Sequence, residues 1–164
     1  MSNGFTDYAE ISEDGHYRYM LGRRWDNGPL VRFVMLNPST ADATTDDPTI
    51  RRCIGFAKAW GFAGLHVVNL YAYRATNPRE LWAVDDPVGP ENDAWLADEA
   101  AWAKSHDLPL IAAWGVHAEP RHVAYVRTFP GFDRLQALGT TKDGHPRHPL
   151  YLRRDAQLEP WRPS

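Results

Sequence analysis

The stretch VRFVMLNPSTADATTDDPTIRR, Val31 to Arg52, decides how the chain is read. An apolar strand runs into a polar loop carrying Asn37, Pro38 and the aspartates Asp42, Asp46 and Asp47, and then the chain turns helical. Asp47 followed by Pro48 supplies an N-cap and a first helical residue, and Ile50, Cys53, Ile54, Ala57 and Trp60 recur at helical spacing as far as Gly61. Strand, polar loop, amphipathic helix is the repeating unit of a parallel sheet covered by helices. In such sheets ligands bind outside the carboxyl ends of the strands.

The flanking sequence repeats the unit. GLHVVNLYAY reads as a second buried strand, NPRELWAV as a short helix or turn, PENDAWLADEAAWAKSHD as a helix opened by Pro90, and LPLIAAWG as a third strand. HAEPRHVAYVRTF continues as a helix and DRLQALG as a fourth strand, ahead of the polar, basic segment TTKDGHPRHPLYLRRD. Upstream, YAEIS and YRYMLGRRW flank the turn EDGH and predict an antiparallel hairpin, read as an N-terminal addition over residues 1–29. The expectation is a single domain: a three-layer α/β/α sandwich on a mostly parallel four-stranded sheet, with its core over residues 30–154 and a tail over residues 155–164.

Composition narrows the functional classes. The chain has 164 residues, is 43% hydrophobic and carries a formal net charge of −3, enough for one real core and without a global attraction to nucleic acid or anionic lipid. Cys53 is the single cysteine, so internal disulfides and cysteine-cluster metal sites are excluded. No apolar run approaches the roughly 18 residues of a membrane span, and the N-terminal MSNGFTDYAEISEDG lacks a leader's basic and apolar regions. A cytoplasmic protein without a cofactor, a metal or a membrane partner is the expectation.

Four strand ends therefore converge polar groups: Asn37; Asn69 and Arg74; Gly115 and His117; and His148. The segments that carry them resemble the motifs of the uracil-DNA glycosylase superfamily in order and wording. MLNPS resembles its first Asp-Pro or Asn-Pro turn, HVVNLYAYRA its strand ending in Leu-Leu-Asn, LIAAWGVHA its strand followed by Trp-Gly and a His-Ala pair, and RHPLYL its closing His-Pro-Ser motif, with Leu150 in place of the serine. At closer range, MLNPSTADATTDDPTIRR with VVNLYAYRATNP looks like the signature of a bacterial and phage family known as a domain of unknown function.

The superfamily resemblance implies a catalytic Asn37 that positions water, a catalytic His148 that stabilises the departing base, and a base-binding Asn69. Those residue types suit N-glycosidic hydrolysis, which needs a placed water, a donor to the base anion and an amide to read the base edge. An amide orients water without removing its proton, so Asp42, Asp46 or Asp47 is read as the source of the carboxylate. Tyr71, Tyr73 or Trp25 would stack a flipped base. Ser39, Lys142, Arg147, Arg153 and Arg154 are read as phosphate-binding.

Structural roles are open at the same positions. Asn37 through Thr40 is also turn chemistry, the aspartates also suit a helix cap and dipole, Asn69 also suits a buried structural amide, and His145 through His148 also suits a solvated loop. Arg51 and Arg52 read as solvent-facing charges, and the tryptophans as packing groups. The functional expectation is a nucleobase-directed hydrolase acting on a damaged or modified base in DNA or on a nucleotide. A noncatalytic binder of modified nucleotides or nucleic acid, or an interaction module of phage defence or DNA modification, is the alternative.

Overall fold

The computed structural model describes residues 7–162. Strands β1 (Tyr8–Ile11), β2 (Arg18–Arg24) and β3 (Leu30–Met35) precede helix α1 (Pro48–Ala59), after which β4 (Gly64–Asn69), α2 (Asn92–Ser105), β5 (Leu110–Ala112), α3 (Pro120–Val126), β6 (Leu135–Ala137) and β7 (Glu159–Pro160) follow. All seven strands form one sheet in the order β1-β2-β4-β3-β5-β6-β7. The four central strands run parallel, and β1, β2 and β7 are antiparallel to their neighbours.

The three layers follow from which side chains each strand sends to each face. Phe33, Val31, Val67 and Ile111 pack against Ile50, Cys53, Phe56 and Ala57 of α1 on one face. Val34, Val68, Leu110 and Ala112 pack against Leu96 and Ala100 of α2 and Val126 of α3 on the other. β3 lies between β4 and β5 and is buried along its whole length, as a central parallel strand must be. The cap anticipated for α1 is made: the Asp47 carboxylate accepts the Ile50 N–H at 2.9 Å and Pro48 opens the helix.

Three boundaries differ from the sequence reading. The hairpin is no addition, because β2 pairs with β4 and extends the central sheet. Arg23 of β2 is why the junction holds: its Nε lies 2.8 Å from the Asp46 carboxylate, and its guanidinium also donates to the carbonyls of Asp42 and Thr45. Residues 155–162 do not hang free either; β7 pairs with β6, and Trp161 is buried against Trp114 with its indole N–H on the Gly144 carbonyl. Third, β4 stops at Asn69 instead of running on to Tyr73, because the following backbone turns to the Pro87–Val88 segment, where Ala72 and Tyr73 donate to Val88 and Pro87. Among the described residues no helix is long and apolar enough to cross a membrane.

Candidate functional site

The carboxyl ends of β3, β4 and β5 open into a cleft of about 610 Å³ lined by Asn37, Asn69 and His148 together with Arg18, Ser39, Asp47, Trp114, Gly115, His117 and Arg147. A cleft of this size and place is the usual ligand site of a parallel α/β sheet. Each residue arrives there for a local reason. Met35 and Asn69 are register partners at the ends of β3 and β4, so Asn37, two residues past the end of the first strand, and Asn69, the last residue of the second, emerge at the same end of the sheet. Gly115 follows β5 with φ +75°, and its N–H donates to the Pro146 carbonyl at 3.0 Å, which ties the loop carrying His148 to the strand end. A β-carbon at Gly115 would stand 3.5 Å from that of His148.

Asn69 is the feature of this cleft that packing does not explain. It is 1% exposed, and neither Nδ2 nor Oδ1 has a hydrogen-bond partner. Its backbone carbonyl is fully employed, accepting from Nδ2 of the buried Asn92 at 2.8 Å. The strand end is thus pinned while the side-chain amide is left with a free donor and a free acceptor. A buried amide in that state costs about 1–3 kcal/mol unless something fills the cleft.

Asn37 is half committed. Its Nδ2 donates to the carbonyls of Pro38 at 3.0 Å and Ala75 at 2.8 Å, locking the turn, and leaves Oδ1 as the acceptor for a water or ligand. His148 is held extended ahead of Pro149, and its Nδ1 accepts the Leu150 N–H at 3.2 Å. The proton of the neutral ring therefore sits on Nε2, as a donor. Burial pushes the His148 imidazole below its ordinary range, against a weaker upward pull from Asp47. Asp47 is the one aspartate of its loop that lines the cleft, with one carboxylate oxygen on the Ile50 N–H. Cys53 lies fully buried on the inner face of α1, its thiol pushed up to about 12 by burial, and is inert.

That imidazole makes a pH prediction. The folded pKa lies below the unfolded value of about 6.5, so the contribution of His148 to stability is complete above that value. It is lost as pH falls through it, where the unfolded chain binds a proton that the folded chain refuses. The His148→Gln variant is expected to lose stability less steeply than the parent between about pH 6.5 and 5, measured by urea denaturation at each pH; parallel curves would contradict it.

Other anticipated site residues lie elsewhere. Asp42 caps its own turn, accepting from the N–H groups of Thr44 and Thr45, and Asp46 is spent on Arg23. Tyr71 is buried with its hydroxyl on the Glu119 N–H, Tyr73 packs against Tyr17 and His16, and Trp25 donates to the Phe62 carbonyl; none lines the cleft. Of Lys142, Arg147, Arg153 and Arg154 only Arg147 lines it, Arg153 pairing instead with Asp155 at 3.1 Å. Trp114 and Tyr151 are the aromatic groups that do line it, the first buried and the second 91% exposed at the rim. Arg18 was not anticipated as a site residue. The signal is a charge inside the strand RYMLGRR, but it falls in the hairpin that the sequence presents as an N-terminal addition to the core.

Among solved structures, an α/β hydrolase from Novosphingobium aromaticivorans DSM 12444 is similar at 13% identity and a TM-score of 0.35, over 85% of this chain and 46% of that one. The chain thus spans about half the length of that protein, and at such a score no argument follows from the likeness. No curated protein matches the chain significantly. The model of the family described as "Protein of unknown function (DUF1643)" matches residues 18–150, from the first residue of β2 to the turn that presents His148, and the chain belongs to that family.

Proposed function

We propose that the cleft binds a nucleobase and that the protein hydrolyses the N-glycosidic bond of a damaged or modified base, in DNA or in a nucleotide. The observation that carries this reading is the Asn69 amide, buried in the cleft with its donor and its acceptor both unpaired. A base edge offers one acceptor beside one donor and satisfies both. The uracil-DNA glycosylase resemblance, with its three-layer fold and its strand-end Asn, Asn and His, supports the same assignment. In this mechanism Asn37 Oδ1 orients the attacking water, Asp47 takes its proton, and the Nε2–H of His148 donates to the departing base. Trp114 and Tyr151 supply aromatic faces and Arg147 a phosphate contact.

A second reading is favoured by one observation. Asn37 stands where a carboxylate would be the stronger base, and its amide N–H groups are already spent on the backbone, so a binder of modified nucleotides without turnover is the alternative. Incubation with a panel of modified oligonucleotides and nucleosides, with mass detection of released bases, separates the two. The hydrolase reading expects a free base to appear, and expects Asn37→Ala to slow its release, because the Oδ1 that orients the water is lost. Tight binding of a panel member with no release would leave a binder.

A further inference from the structure

Three arginines are buried in the sheet, and two of them are neutralised. Arg23 is 3% exposed with its Nε 2.8 Å from Asp46, and Arg32 is 4% exposed with its Nε 2.7 Å from Glu99. Arg18 is 2% exposed and, among the described residues, makes no ion pair; its Nε is buried without any partner. It is well anchored all the same, with its Nη1 donating to the Ala41 carbonyl at 2.9 Å and its backbone N–H to Ala72 at 2.9 Å. It lines the same cleft as Asn69 and His148.

A fixed guanidinium without an ion pair in a buried place is costly, and the cost falls when an anion or a strong acceptor comes to it. Burial pushes Arg18 down to about 10, with the Asp47 carboxylate pulling the other way, so it is still a cation at neutral pH. Asn69 by itself does not choose between bases. An amide pairs equally well with a ring N–H beside an oxo group and with a ring nitrogen beside an amino group. A guanidinium has donors only, so it distinguishes the two.

Resting on the nucleobase reading above, we propose that Arg18 is a catalytic residue that holds the negative charge of the departing base, and that the cleft therefore takes oxo bases in preference to amino bases. When the glycosidic C–N bond breaks, its electron pair goes to the base nitrogen and delocalises onto the oxo oxygen. The water oxygen bonds to the sugar carbon, the water proton passes to Asp47, and the base anion is protonated after it leaves. The neutral His148 contributes a hydrogen bond to that anion, and Arg18 contributes the compensating charge from a buried position.

The test uses 5-nitrouracil, an oxo base with an acidic ring N–H whose anion has its own absorbance, and its 1,3-dimethyl derivative, which cannot ionise. The wild-type protein is expected to bind 5-nitrouracil better than the dimethyl compound and to lower the pH at which the bound base ionises by about one unit or more. Arg18→Gln should abolish that shift and weaken binding of the anion about tenfold, whereas Arg18→Lys retains most of the shift. Asn69→Ala should weaken binding and leave the shift in place. Binding without a shift, or a shift that survives in a folded Arg18→Gln protein, overturns the role of Arg18 and leaves the nucleobase reading standing. Failure of the wild-type protein to bind either compound at millimolar concentration overturns both.

Discussion

His148→Ala is expected to lower the single-turnover rate of base release about 10²- to 10³-fold while changing substrate affinity less than about threefold. The asymmetry follows from where the proton is. With Nδ1 accepting from Leu150 and burial keeping the ring neutral, Nε2–H is a fixed donor that meets little charge on the bound base and much more on the departing one. An interaction that strengthens only along the reaction is lost from turnover and barely from binding. A variant that binds the substrate much more weakly at an unchanged single-turnover rate would assign His148 to binding alone.

The second large effect lies at the other end of the sheet and concerns stability. Glu99→Leu is expected to cost about 3–5 kcal/mol, because it strips a buried cation of its partner. Glu99 on α2 receives Arg32 Nε at 2.7 Å on one carboxylate oxygen and His66 Nδ1 at 2.9 Å on the other, and the other ring nitrogen of His66 meets the Tyr8 hydroxyl. Burial pushes the Glu99 carboxyl up, but His66 and Arg32 together outweigh it and hold the group below its ordinary range. Arg32 is also stacked 3.5 Å above the Trp102 ring, so it cannot swing out to water without losing that contact. Replacing Glu99 and Arg32 together by apolar residues should recover part of the loss, since no unpaired guanidinium then stays behind although His66 Nδ1 still loses its partner. Chemical denaturation of the single and double variants measures both; an additive double variant would show that the pair is not coupled.

What the sequence reveals of this site depends on how directly a residue's role follows from its place in a strand. Asn37, Asn69 and His148 are legible because each ends or follows a strand in an alternating pattern, and parallel sheets gather such residues at one edge. Asp42, Asp46 and Asp47 look alike in sequence, yet only one reaches the cleft. What separates them is Arg23, a long-range partner on a different strand that pulls Asp46 aside and ties down the loop around Asp42. Tyr71 and Tyr73 were placed by extending β4 beyond Asn69; the backbone leaves the ladder there, and period-2 reasoning fails where the ladder ends. Arg18 shows in the sequence as a charge inside a strand, but its place in the cleft does not, for a related reason. It reaches the cleft only because β2 pairs antiparallel with β4, a pairing between segments far apart in sequence that no local pattern encodes.

The central claim is that the unpaired Asn69 amide reads the edge of a nucleobase. Side-chain amide NMR of the ¹⁵N-labelled protein titrated with uracil, hypoxanthine, cytosine and adenine tests it most directly. At least one oxo base is expected to shift the Asn69 Nδ2 resonances and slow their exchange with water, to move the His148 ring resonances in the same titration, and to leave the Asn27 side-chain amide in place. Asn69 resonances unmoved by all four bases at millimolar concentration would contradict it.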